Sequence, residues 1–355
     1  DRWRFAAALP GLVAAVELAI IAWPFQRVAP WSEVNERFYP MTPVVQTLQA
    51  EHRGGAILWT DSTMSFLCDQ NQPEVLTNRL IMFGLPQARG YDPVNARRIG
   101  LWFNLLSDRA PTDNPGGFMF VHKIVRPAWL TLMGVETVLS YSALDDVPGL
   151  VPVRQFDFPP DPQIPGAPAT TLTIWRNERF RGRAFAVPRT AMTEGWEQAM
   201  LYSAQDAADR ATDPLAALVV DVTGFLRDPE GLQATIPHWP DAVGPEYQVR
   251  PLREGPNAFS YEVNFPTDAL LYLAQSAYDG WTVTIDDERS ELITNAGGTF
   301  LVAAVPAGTH TVTFRFIPPS LATGRNIRLL ALLILLLGCW REQRRRSVSG
   351  PMESD

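Results

Sequence analysis

The chain has 355 residues, 46% of them hydrophobic and 19% charged, which excludes a disordered tail and leaves room for two domains. A formal charge of −8 excludes a nucleic-acid partner, which would require a basic surface. Two cysteines, Cys68 and Cys339, are too few for a disulfide framework. The near-zero mean hydropathy of −0.05 conceals a polar middle between two apolar ends.

The first apolar end is residues 5–23, which carry one charge, Glu17, and lie between Arg2 and Arg4 on one side and Pro24 on the other. At the rise of an α-helix this stretch spans about 28 Å, close to the hydrocarbon thickness of a bilayer. Residues 1–23 therefore read as a transmembrane helix. A secretory signal peptide is the rival, but the run is long, no A-x-A pattern ends it, and a second basic-flanked helix follows near the other terminus. Glu17 is an ionisable group inside that span, and it reads as facing a polar partner or reaching the interface about 9 Å away. A chain that opens on Asp1 rather than Met is expected to be a piece of a longer one.

Short strands are predicted at residues 55–59 and 137–140, and helical spacing at 45–51 and 129–133, so residues 24–155 read as a mixed α/β domain. Pro159, Pro160, Pro162, Pro165 and Pro168 with Gly166 admit neither helix nor central strand and mark a boundary or crossover. Beyond them the period changes to two: Trp281, Val283 and Ile285 alternate with threonines, as do Val312, Phe314 and Phe316 with polar neighbours. Val305-Pro306-Ala307-Gly308 predicts a type I turn joining strands 300–305 and 309–316 in a hairpin. With further strands near 171–175, 217–220, 258–265 and 269–274, residues 156–319 read as an antiparallel β-sandwich.

The second apolar run, residues 329–340, has only 12 residues. Pro318-Pro319-Ser320 supplies a helix start, however, and 20 residues are available from Leu321 when Arg325 and Arg328 snorkel, so 320–340 reads as a second transmembrane helix. Arg341, Arg344, Arg345 and Arg346 then place residues 341–355 in the cytoplasm, and Arg2 and Arg4 do the same for the other flank. The bulk of the chain faces away from the cytosol. The expected fold class is α+β: an extracytoplasmic mixed α/β region followed by an antiparallel β-sandwich, flanked by two transmembrane helices.

Common catalytic signatures are absent: no G-x-S-x-G, H-E-x-x-H, Gly-rich phosphate loop or Cys-x-x-Cys occurs. His52, His122, His238 and His310 lack metal-ligand spacing and read as structural; no metal site is expected. Asp145-Asp146 and Asp286-Asp287 read as solvated turns rather than acid–base pairs, because adjacent residues on a strand face opposite ways.

Several motifs in order carry a resemblance. Asn78 through Phe83-Gly84-Leu85, then Arg89-Gly90-Tyr91-Asp92-Pro93, resembles a segment of the bacterial YfhO-type membrane proteins. Leu132-Met133-Gly134-Val135-Glu136-Thr137-Val138, Asn177 with Arg183-Ala184-Phe185-Ala186-Val187-Pro188-Arg189, and Tyr278-Asp279-Gly280-Trp281 resemble three further segments of the family. Val305-Pro306-Ala307-Gly308-Thr309-His310-Thr311-Val312 with Pro318 resembles its closing strand, which leads into the last membrane helix. Departures are Asp279 in place of the usual proline, Glu136 and Thr137 in place of a basic and aromatic pair, and Asp286-Asp287 in place of Asp-Gly.

The resemblance implies the C-terminal portion of a multi-spanning protein of the bacterial cytoplasmic membrane, similar to GT-C glycosyltransferases. Such a parent takes a sugar from a polyprenyl-phosphate carrier and attaches it to an envelope polymer or glycolipid. It also implies that the catalytic acid lies upstream of Asp1, so no catalytic residue and no cofactor is expected in this chain. The partners implied are the bilayer, an upstream transmembrane bundle and a glycan or glycolipid acceptor. Gly90, Gly280 and Gly308 read as turn glycines, Pro93 as a bend, and Trp281 and Tyr91 as core. Arg89, Tyr91, Asp92 and Trp102 are the candidate lining of an acceptor groove, since aromatic faces with a carboxylate and a guanidinium suit sugars. The alternative is a non-enzymatic, membrane-anchored module that binds envelope glycan or protein. A third reading, a periplasmic hydrolase, would need two carboxylates converging in a cleft.

Overall fold

A computed structural model of the chain describes residues 39–60, 80–88, 97–107, 121, 123–160, 169–188, 191–193, 195, 198–200, 219–221, 240, 242–290, 293–296 and 299–348. Three sheets and their flanking helices stack as layers. Helix α1 (Pro43–Glu51) starts because Thr42 accepts the Val45 amide at 3.2 Å and Pro43 occupies the first turn, where its missing N–H costs nothing. The first sheet contains β1 (Ala56–Thr60), β2 (Val135–Ser140), β3 (Leu150–Phe158) and β4 (Thr170–Asn177) in the order β1-β2-β4-β3, with β1 and β2 parallel and the rest antiparallel. One face buries Ile57, Trp59, Leu139 and Ile174 against Val45 and Leu48 of α1. The other turns Leu58, Val138 and Trp175 towards α2 (Arg97–Leu106) and α3 (Ala128–Leu132).

The middle sheet is built from β5 (Ala184–Val187), β6 (Ala191–Thr193), β7 (Val219–Asp221), β10 (Ala269–Ser276), β13 (Ile293–Ala296) and β14 (Phe300–Val305), in the order β5-β10-β14-β13-β7-β6. Strands β5 and β14 and the first five residues of β10 are buried on both faces because both faces are covered. Phe185, Leu270, Tyr272, Phe300 and Val302 pack with α2 and α3, while Ala186, Leu271, Leu273, Leu301 and Ala303 pack with the third sheet. The Tyr272 hydroxyl, fully buried, donates to the Leu132 carbonyl at 2.6 Å and fastens the middle sheet to the end of α3. That burial pushes the phenol pKa well up, so it stays a neutral donor.

The third sheet holds β8 (Gln248–Gly255), β9 (Ala258–Phe265), β11 (Trp281–Ile285), β12 (Glu288–Ser290) and β15 (Gly308–Phe316), in the order β12-β11-β15-β9-β8. Phe259, Tyr261, Val263, Val283, Val312 and Phe314 face the middle sheet, and the intervening Ser, Thr, Glu and Arg face water, which produces the period of two. The molecule is thus α+β with predominantly antiparallel sheets.

Two expectations are corrected by the pairing. Strands β14 and β15 do not form a hairpin: β14 pairs with β10 and β13, and β15 with β9 and β11. Pro306-Ala307 carries the chain from the middle sheet to the outer one, because β14 is buried on both sides whereas β15 has one wet face. The strand predicted at 171–175 belongs to the first sheet rather than the sandwich, so the proline-rich stretch after β3 connects neighbours within that sheet.

The arch after β14 is tied down by polar contacts. The Ala307 amide donates to Asp268 Oδ1 at 2.8 Å, and His310 bridges the Ala307 carbonyl (3.1 Å from Nε2) and Asp286 Oδ2 (2.6 Å from Nδ1). Both imidazole nitrogens thus face acceptors, an arrangement satisfied by the imidazolium. Asp286 and Asp287 form the two-residue turn between β11 and β12 with φ of 51° and 66°, left-handed values that favour glycine. The other oxygen of Asp286 accepts the Thr311 amide at 2.8 Å, holding that turn to β15.

Helix α4 (Pro319–Val348) leaves the third sheet at a braced junction. The Gly280 carbonyl accepts the Ile317 amide at 3.0 Å, the Trp281 indole donates to Ser276 at 3.1 Å, and the Trp281 ring lies 5.3 Å from Phe316. Gly280 has φ of 109°, which explains the glycine of the Tyr278-Asp279-Gly280-Trp281 motif. Beyond the junction, Ile327, Leu330, Leu333, Ile334, Leu336 and Leu337 are all more than half exposed. The expected first membrane helix, 1–23, lies outside the described residues. Among the described residues, no helix is long and apolar enough to cross a membrane: the apolar run of α4 is short, and Arg325 and Arg328 precede it.

Three outcomes are expected. Gly55 leaves no room for a side chain, since a Cβ would lie 2.3 Å from that of Glu136, so Gly55→Ala lowers stability by roughly 1–3 kcal/mol in urea unfolding. Asp287→Gly removes a left-handed penalty and raises stability by about 1 kcal/mol in the same assay. His310 has its pKa raised, chiefly by its hydrogen bond to Asp286, and Asp286 has its own lowered, chiefly by His310 and then by the Thr311 amide. The His310 contribution is complete below its ordinary value of about 6.5 and fades as pH rises through the raised one; the Asp286 contribution is complete above about 3.9 and fades as pH falls through the lowered one. Thermal melting against pH therefore shows the pair's stabilisation whole between about pH 4 and 6.5, and His310→Gln flattens the decline above that window.

Candidate functional site

Of the candidate groove residues, Arg89, Tyr91 and Asp92 lie outside the described residues, as do Glu17, Gly90, Pro93, His122, His238 and Cys68. Trp102 is described, and it has no exposed surface. It comes from α2, whose Leu101, Trp102, Phe103, Leu105 and Leu106 are all buried, so the helix is enclosed rather than amphipathic on a surface. Its ring lies 4.0 Å from that of Trp129 and 5.0 Å from Phe300. Trp102 is core, and at the same time one wall of a cavity.

That cavity, about 170 Å³, opens at the seam between the first and middle sheets. Residues 86–88 form one side, held along the free edge of β1 by Ile57 N–H to Pro86 (2.8 Å) and Ala88 N–H to the Ile57 carbonyl (2.9 Å). Trp102, Phe103 and Phe300 lie buried beneath the cavity, and Pro86, Ala88 and Ile99 supply half-buried apolar lining. The opposite side is Arg183, ahead of β5, with Ala274 and Gln275 of β10. Pairing of β10 with β14 shifts register between Leu273 and Ser276, a bulge that takes Gln275 out of the ladder, and the Ala274 amide donates instead to the Arg183 carbonyl at 2.8 Å.

The polar groups at the mouth are few and specific. Arg183 Nη2 donates to Gln275 Oε1 at 3.3 Å, and its guanidinium lies 4.8 Å from the centre of the Phe259 ring. The Gln87 side-chain oxygen is buried without a hydrogen-bond partner. Tyr261, next to this cluster, donates to Glu254 at 2.6 Å; burial first, and that bond second, push its phenol upward.

The remaining sequence candidates have structural roles. Glu136 is buried and accepts the Arg53 and Gly55 amides at 2.9 Å, with His52 at 3.5 Å, so it shapes the entry to β1. Asp145 and Asp146 are exposed in a turn. A larger cavity of about 390 Å³ lies between the edges of β5 and β8, with Arg181, Phe185, Val243 and Tyr247 in its lining. Gln87, Arg183 and Gln275 were not legible as site residues. The available signals were the glutamine that ends the apolar β10 run and the arginine opening Arg183-Ala184-Phe185.

Residues 246–327 match the family model described as bacterial membrane protein YfhO. They cover β8 to β15, apart from the middle-sheet strands earlier in the chain, together with the junction and the first turns of α4. Over that stretch the chain is similar to the YfhO membrane-protein family, and the Tyr278–Trp281 and Val305–Val312 motifs fall inside it. No curated protein and no solved structure matches the chain.

Truncating the cavity wall is expected to cost packing first. Trp102→Ala lowers stability by about 3–5 kcal/mol in denaturant unfolding, because the indole is enclosed by Trp129 and Phe300.

Proposed function

We propose that this chain is the extracytoplasmic C-terminal part of a multi-spanning membrane glycosyltransferase of the YfhO type, and that it presents an acceptor to a catalytic centre elsewhere in the parent protein. The observation that carries the membrane reading is α4: Leu329, Leu330, Leu332, Leu333, Leu336 and Leu337 are bare around the helix although the sheets from which it emerges are fully cored. An apolar helix surface without protein against it calls for lipid. Residues 321–340 span about 30 Å once Arg325 and Arg328 snorkel, and the Arg344 guanidinium lies 4.4 Å from the Trp340 ring, a pairing suited to a headgroup boundary. The basic cluster that follows favours a cytoplasmic tail and hence sheets on the outer side. Glu17 would lie in the opposite membrane helix. The acceptor reading is supported by a cavity that joins apolar lining with a guanidinium and two amides. The donor would be a polyprenyl-phosphate-linked sugar handled by the parent's upstream bundle.

Membrane attachment through α4 is tested by flotation, with phospholipid vesicles, of the chain without residues 1–23, the other proposed anchor. Wild type floats, and Leu333→Arg, which places a charge in the middle of the run at a cost of about 3 kcal/mol, reduces partitioning roughly a hundredfold; equal flotation of the two would overturn the anchor. The acceptor role is tested by removing the codons for residues 24–320 from the full-length gene. Loss of envelope glycosylation with the parent still in the membrane supports it, whereas unchanged glycosylation leaves a non-enzymatic anchored binding module.

A further inference from the structure

We propose that the cavity beside Trp102 binds one ring of an anionic saccharide, with Arg183 taking the ring's carboxylate or phosphate oxygens. This rests on the acceptor reading above and names the chemistry that the acceptor must carry. A guanidinium has five N–H donors in a planar fork. Among the described residues only Gln275 accepts from that of Arg183, at 3.3 Å, and no carboxylate lies within ion-pair distance. Glu254, the acid nearby in the cluster, is engaged by the Tyr261 hydroxyl. Arg183 is nonetheless held in place: its guanidinium stacks on Phe259, and its carbonyl receives the Ala274 amide at the β10 bulge. A fixed cation with unused donors at the mouth of a cavity is a receptor for an oxyanion, since binding need not first order the side chain.

The other groups specify what carries the anion. The buried Gln87 oxygen needs a donor, which a ring hydroxyl supplies. Gln275, turned out of the ladder by the bulge, keeps its amide nitrogen for a second hydroxyl. Pro86, Ala88 and Ile99, half-buried over the enclosed Trp102, present apolar surface to the C–H face of a ring. A volume of about 170 Å³ admits a single small ring and excludes a ligand that needs 300 Å³ or more. An isolated inorganic anion would leave the apolar lining and Gln87 unused, and a neutral sugar would leave Arg183 unused.

Calorimetric titration of the full chain in detergent tests the assignment with four probes: glucuronate, glucose 6-phosphate, glucose and inorganic phosphate. At least one acidic sugar is expected to bind about tenfold or more tightly than both glucose and phosphate, and which of the two does so separates carboxylate from phosphate. Arg183→Met is expected to reduce that sugar to the affinity of glucose, with wild-type thermal melting as the folding control. If that variant does not fold, Arg183→Lys retains charge and stem but lacks the fork, and is expected to lose several-fold in affinity; wild-type affinity in it would overturn the role. Equal binding of acidic and neutral sugars would overturn the charge requirement and leave the acceptor reading standing. Phosphate alone binding as tightly as the sugar phosphate would reduce the site to a simple anion site and overturn the saccharide. No binding of any sugar at about 10 mM would remove both readings.

Discussion

The structure depends on burying the middle sheet on both faces. Ala269 to Leu273 of β10 have no exposed surface, and the side chains alternate between two separate cores, Leu270 and Tyr272 on one side and Leu271 and Leu273 on the other. Fixing a residue costs about 1–2 kcal/mol of backbone entropy, and burying a large aliphatic side chain returns about 1.5–3 kcal/mol. A strand covered on one face only, with every second residue contributing, comes near to break-even, whereas one covered on both faces is clearly favoured. This double burial binds the N-terminal α/β layer and the outer sheet to a common centre, and the Tyr272–Leu132 hydrogen bond sets their spacing at one point.

The cavity follows from the same constraint. Where β10 leaves the doubly covered region it bulges, its register with β14 slips, and the Ala274 amide donates to the Arg183 carbonyl just ahead of β5. A seam between two packed layers is where backbone regularity ends, so partly satisfied polar groups such as Arg183 and Gln87 can collect there without breaking either core. The Trp102 indole belongs to both, as packing for α2 and as a wall of the opening.

At the other end of the sandwich, the Tyr278–Trp281 motif reads as a mechanical joint. Gly280 supplies the left-handed turn, its carbonyl holds Ile317, and the Trp281 ring stacks near Phe316 just before α4 begins. A helix whose apolar surface finds no protein cover transmits force to its attachment point, and here that point is cross-braced by two strands. The family match spans this joint together with the outer sheet, which fits a fold signature rather than a reaction centre.

Local patterns were sufficient for the elements that have one wet face. Alternation at Trp281–Ile285 and Val312–Phe316 reports the outer sheet directly, helical spacing at 45–51 reports α1, and the apolar run with its arginines reports α4. Period alone could not say which strands pair. Val305-Pro306-Ala307-Gly308 has the composition of a hairpin turn, yet it is an arch between sheets, because pairing is decided by which faces are covered and not by the four residues that connect the strands. The placement of the 171–175 strand in the first sheet was hidden for the same reason. The cavity was the least legible: Gln87, Arg183 and Gln275 are nearly two hundred residues apart in the chain, and only the packing of three layers and one slipped register brings them together.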